Sequence, residues 1–260
     1  MLRMAADACS RPLLWVFIVA AFLWVVSAWS IYVWIPIIVS NLLNGSLLSD
    51  ATSVGGGSRN SVQAALLSAI PYICAALSLV AVAWSADRHN EKTAHVAIPV
   101  ILSGITLSCF GVVGRHSAVG AFVILTASLG LAFAGQSTLV ARAAGITPPS
   151  QAGITLGILN ASCTALGGFA GPVIVGAIIG ALRSFEVVAL VMGALLIAAG
   201  LIVLGVFVKE YPQFREERRA RRAADGVACG GRRAADEEAG GGCAPRAGRA
   251  GGTLSGAATA

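Results

Sequence analysis

Six apolar runs, each about as long as a bilayer-crossing helix requires, alternate with short polar breaks along this chain. They fall at Leu13–Val39, Val62–Ala83, His95–Val113, Ala118–Val140, Ala152–Leu182 and Val187–Val208. A spanning helix needs about 20 predominantly apolar residues, and no Asp, Glu, Lys or Arg lies well inside any of these runs. The polar breaks are as informative as the runs. Asn41–Asn60 is rich in Gly, Ser and Asn and contains Gly55-Gly56-Gly57, the composition of a flexible loop. Trp84–Lys92 is the densest charge cluster before the C-terminal region, and so short a link sets its two flanking helices antiparallel. Arg115-His116, Arg142–Gln151 and Arg183–Glu186 supply the remaining turns. The expected fold class is an all-α membrane protein with six transmembrane helices.

Composition agrees. Apolar residues make up 57% and charged residues 12%, against about 25% charged in a soluble domain, and the mean hydropathy is +0.81. Arg3 and Arg11 precede the first run as they would in a signal peptide. That run is far longer than a secretory core of roughly 7–15 residues, so a retained first span is expected.

The net charge of +6 changes the picture through its placement. With six spans both termini share one face. Arg3, Arg11, Arg88, Lys92, Arg142 and the basic tail fall on it, while Arg59, Arg115 and Arg183 fall on the other. The bias of Lys and Arg toward cytoplasmic loops then puts both termini and the Trp84–Lys92 link inside, in a multi-pass cell-membrane protein. Nucleic acid is not expected as a partner, because base-stacking aromatics are not interleaved with the basic residues. The expected division is a cytoplasmic segment at 1–12, a bundle at 13–208 and a basic, Gly/Ala-rich cytoplasmic tail at 209–260, largely disordered. Arg218, Arg219, Arg221 and Arg222 suit either anionic lipid or a bare topology anchor.

Enzymatic constellations are missing. His89, His95 and His116 sit in loops or at span ends. The glycine triplet lacks the Lys-Ser/Thr of a phosphate-binding loop, and the six cysteines have neither metal-ligand nor disulfide-framework spacing. No enzyme, metal or cofactor is expected. Asn44-Gly45-Ser46 fits a glycosylation sequon but is read as a chance occurrence. Asp87, Arg88, Glu91 and Lys92 admit two readings: a gate whose charges pair between helices or cap helix ends, or a solvated loop.

Asp87-Arg88-x-Asn90-Glu91-Lys92 after a second helix resembles the signature loop of the major facilitator superfamily. Its departures from the usual G-x-x-x-D-R-x-G-R-R/K include Ala83 and Asn90, where the motif has glycine. Tyr32–Pro36, Ser68–Tyr72, His95–Pro99 and Leu166-Gly167-Gly168-Phe169-Ala170-Gly171-Pro172 look like the C-terminal half of the anion:cation symporter family, nearest its phthalate and tartrate permease branch.

That resemblance implies a twelve-helix transporter, alternating access, and a small organic anion moved with a proton or sodium ion. This chain would supply the C-terminal six-helix bundle, partnered by an N-terminal half or a second copy. Tyr32, Trp34, Gln136 and Asn160 fall on helices that line the cavity in that family and become the substrate-binding candidates. Trp34 also suits an interfacial belt, and Gln136 and Asn160 suit helix–helix glue. Gly168, Gly171, Gly176 and Gly180 permit close helix approach, and Pro172 frees a backbone carbonyl beside the cavity. No intramembrane carboxylate occurs in the six runs, although ion coupling generally needs an ionisable group in the membrane. Those groups are expected in the other half. A non-transporting interaction or regulatory protein, or an inactive fragment, is the alternative.

Overall fold

A computed structural model of the chain describes residues 10–43, 58–89 and 91–209. The expectations for Asn44-Gly45-Ser46, Gly55-Gly56-Gly57, Asn90 and the tail beyond Lys209 lie outside the described residues. The protein is all-helical among those residues, with six helices long and apolar enough to cross a membrane. They are α1 (Pro12–Leu43), α2 (Ser58–His89), α3 (Thr93–Gly114), α4 (Ala118–Ala144), α5 (Pro149–Leu182) and α6 (Phe185–Lys209).

The helices run past the expected ends, furthest in α1, α2 and α4, for local reasons. Pro36 lies inside α1 rather than ending it. Proline removes the hydrogen bond to the carbonyl four residues back; here that carbonyl, Tyr32 O, accepts instead from the Tyr72 hydroxyl of α2 at 3.0 Å. Helix α2 continues through Ala83–His89, so Asp87 and Arg88 stand in its last turns and not in a loop. No helix breaker interrupts that segment, and Arg88 and His89 sit where cations suit the C-terminal end of the helix dipole. Helix α4 carries Arg142, placed in the expected loop, inside its last turn.

The turns are set by caps. Ser117 Oγ accepts from Gly120 N at 3.1 Å and starts α4. Arg183 closes α5 in the left-handed region, φ 49°, where glycine is the usual occupant.

Helix α1 lies at the centre, with 67% of its apolar window buried inside the bundle, against 17% for α2 and 22% for α5. It packs against α2, α4 and α5, and Ser27 Oγ donates to Met192 O of α6 at 2.7 Å. Lipid gives helices no hydrophobic drive toward each other, so small residues and hydroxyls must hold them. Ser103 of α3 and Ser128 of α4 each donate to the other's backbone carbonyl, at 2.7 and 3.0 Å. Between α3 and α6 the glycines do the work. A Cβ built on Gly104 would stand 2.6 Å from Gly193 O, and one on Gly200 3.0 Å from Ile101 N.

Candidate substrate cavity

Two helices depart from regular geometry at one place in the bundle. Helix α4 breaks at Gly135, between Ala118–Ala134 and Gln136–Ala144. Beside the break the buried Trp24 Nε1 of α1 donates to Ala132 O at 2.8 Å, and Gly135 O takes both Leu139 N and Thr138 Oγ1, each at 2.9 Å. Helix α5 widens into a π-helical turn at Ala161–Ala165, directly after Asn160. Such turns occur often at functional sites. Here four small residues, Ala161, Ser162, Cys163 and Thr164, leave room for the wider turn, and the Cys163 thiol points at Ile18 O of α1 (3.4 Å).

The two irregularities meet at a cavity of about 150 Å³ between α1, α3, α4 and α5. Gln136 and Asn160 both line it, with Trp24 and Trp29 of α1, and Leu139, Leu159 and Cys163 among the others. Asn160 Oδ1 accepts from Thr164 Oγ1 at 3.1 Å. Gln136 forms no side-chain hydrogen bond with a described residue, so its amide is free for a guest. A second, shallower recess of about 200 Å³ is lined by Tyr32, Tyr72, Phe133 and three aliphatic residues of α2. Aromatic contacts join the two: Trp24 meets Phe133 edge-on at 5.5 Å, and Tyr32 lies 5.9 Å from Phe133 and 4.7 Å from Tyr72. No Asp, Glu, Lys, Arg or His lines either space.

The four substrate-binding candidates thus divide. Gln136 and Asn160 share the first cavity, and Tyr32 lies on the second. Trp34 lines neither; its ring packs edge-on to Phe185 of α6 at 6.4 Å, beside Gly176. Among the glycine candidates, Gly171 closes on α1, where an added Cβ would collide with Ser30 Oγ and Val26 O, and Pro172 follows it inside the helix. Gly168 and Gly180 meet nothing within 4 Å, and Gly176 has the Trp34 ring at 3.7 Å. Trp24, Trp29, Tyr72, Phe133 and Thr164 are cavity or recess residues that sequence reasoning did not select. Ala21, Trp24 and Tyr32 recur on one face of α1 at helical spacing, which marks part of the two spaces; nothing in the sequence announces the α4 break.

At the charged elbow, Asp87 and Arg88 are exposed. Arg88 stacks over Trp84 of its own helix, 5.4 Å from the ring centroid. Glu91 Oε1 accepts from Ala94 N at 3.2 Å, capping the first turn of α3. Asp87, Arg88, Glu91 and Lys92 form no ion pair with another described residue. Helices α2 and α3 meet here through Ser85 Oγ and His95 Nε2, 3.2 Å apart, and through the stacked rings of His89 and His95. An ion pair does tie separate elements at the opposite end. Arg115 Nη2, at the α3–α4 turn, donates to both carboxylate oxygens of Glu186 on α6, at 2.8 and 2.7 Å.

Six apolar helices, four of which line a cavity, are consistent with a half-bundle of a membrane transporter, and the family comparison names the family. The family model described as Major Facilitator Superfamily matches residues 58–247, well over half the chain. The chain belongs to the major facilitator superfamily. No curated protein matches it. As a member of that superfamily it is a multi-pass membrane transporter protein, and its family is one of transporters rather than enzymes. Among the described residues no group of three or more His, Cys, Asp or Glu is placed to hold a metal ion. The cavity can hold a guest by shape and by neutral hydrogen bonds.

Proposed function

We propose that this chain is the C-terminal six-helix half of an ion-coupled organic-anion transporter, akin to the phthalate and tartrate permease branch of the anion:cation symporter family. Gln136 and Asn160 take part in binding the substrate, and Tyr32 and Trp34 border its path. The observation that carries this reading is that Gln136 and Asn160, on two separate helices, face one cavity at two helix irregularities. An N-terminal half, or a second copy of the chain, contributes the groups that meet the substrate's charge and the coupling proton or sodium ion, because neither space here is lined by a charged side chain. The largely uncovered α2 and α5 are the faces that such a partner would meet.

The membrane is the cell membrane, with both termini and the Asp87–Lys92 elbow on its cytoplasmic side. The test is uptake of labelled phthalate and tartrate into vesicles holding this chain together with the N-terminal six helices of a phthalate permease. Uptake that follows an imposed pH or sodium gradient, and falls at least tenfold in Gln136→Leu, supports the proposal. Uptake of neither acid, with the two halves shown to copurify, contradicts it and favours a regulatory protein. For orientation, Glu91→Cys should react with an impermeant maleimide only after the cells are opened.

A further inference from the structure

Helices α1 and α2 are both weakened at the level where a hydroxyl bridges them. Pro36 of α1 and Pro71 of α2 each lack the N–H that a helix supplies to the carbonyl four residues back, here Tyr32 O and Leu67 O. In α2 the Ser68 hydroxyl also bonds back to Ala64 O at 2.6 Å, a contact that tends to bend helices. The Tyr72 hydroxyl donates to Tyr32 O at 3.0 Å, so each proline lies within about one turn of the bridge. At the α3–α4 turn the bundle is built the other way. The Arg115–Glu186 ion pair ties that turn to α6, and Gly111 makes room for the Glu186 side chain, which an added Cβ would strike.

The recess depends on the bridge. Tyr32 and Tyr72 are two of its walls, their ring centroids 4.7 Å apart, and Ala75, only 8% exposed, lines it one turn along α2. We propose that the Tyr72 hydroxyl is a latch across a paired hinge. While it donates to Tyr32 O, the segments beyond the prolines, Pro36–Leu43 and Ser58–Ile70, stay together and the recess stays narrow. When it lets go, α1 and α2 bend apart at Pro36 and Pro71, and the recess opens. The latch rests on the transport reading only in making the recess part of the solute's path, and it can be measured without transport.

The full 260-residue chain, freed of its native cysteines and kept in native membranes, carries one reporter at a time. Ala75→Cys reports the recess, and Met192→Cys, at a fully buried position of α6, reports the fold. Each is timed against a small water-soluble maleimide. Tyr72→Phe keeps the ring and removes the hydroxyl. It should speed labelling at position 75 by about threefold or more, the worth of an ordinary hydrogen bond between membrane helices, and leave position 192 unlabelled. Pro36→Ala gives Tyr32 O a donor from its own helix and removes the hinge in α1. In that background Tyr72→Phe should change the rate at position 75 by less than about twofold.

A hydroxyl that merely packs would act alike with either residue at position 36, so an equal rise in the two backgrounds would overturn the latch. So would a rise below about threefold in the parent, because an average interhelical bond is worth that much. Labelling at position 192 in Tyr72→Phe would overturn it too, by showing that the bridge holds the whole fold and not one opening. Rates as expected, without uptake by the assembled halves, would leave the latch standing and refute transport alone.

Discussion

The α3–α6 crossing and the outer face of α5 use the same residue in opposite ways. At the crossing, Gly104, Gly193 and Gly200 sit where backbones touch, and a Cβ on Gly193 would lie 2.7 Å from Gly104 O. On α5, Gly153, Gly157, Gly168 and Gly180 have nothing within 4 Å. In a membrane, where burial in lipid rewards no contact between helices, the first set locks one part of the bundle. The second contributes nothing to this chain's own packing. A glycine on a helix that touches no neighbour costs helix stability relative to alanine. Between these extremes stands α1, which closes on α5 through Gly171 yet leaves a cavity a few residues away.

Substitutions at the two regions should therefore separate cleanly. Gly193→Val forces backbones apart at the locked crossing and should lower stability by about 1–3 kcal/mol, the usual cost of overpacking, seen as an earlier unfolding midpoint in detergent. Trp24→Phe strips Ala132 O of its indole donor at the α4 break. It should cost about 1 kcal/mol, seen as a smaller shift of the same unfolding midpoint. Glu186→Gln removes the ion pair between the α3–α4 turn and α6. With Arg115 60% exposed, the loss should stay below about 1 kcal/mol, and high salt should mask it. Gly168→Ala, on the open face, should fall within about 0.5 kcal/mol of the parent. A large loss there would erase the distinction between the two regions.

The six helices could be read from the chain because each apolar run is uninterrupted by charge and long enough to span. Their ends could not, because helix propensity carries on where charge begins. Asp87 and Arg88 are polar enough to suggest a loop, yet no breaker stands between Ala83 and His89, so α2 keeps winding. Gln136 and Asn160 stood out as polar residues within apolar runs. Their shared cavity depends on the Gly135 break and the Ala161–Ala165 turn, which no local motif announces; small residues permit the turn, and the break lies beside the Trp24 bond to Ala132 O. The bond from Tyr72 to Tyr32 O is similar: Pro36 reveals that a carbonyl is freed, and packing alone determines which donor takes it. The Arg115–Glu186 pair joins residues 71 positions apart, and the two stretches looked like unrelated turns.

The central claim is that the Gln136 and Asn160 side chains open into one solvent-reachable cavity within the membrane. Single cysteines at positions 136, 160 and 192, in a chain freed of its native cysteines, can be exposed to a small water-soluble thiol reagent in native membranes. Positions 136 and 160 should react at similar rates, while position 192, where Met192 is fully buried, should stay unlabelled. Labelling at one of the pair without the other would contradict the claim.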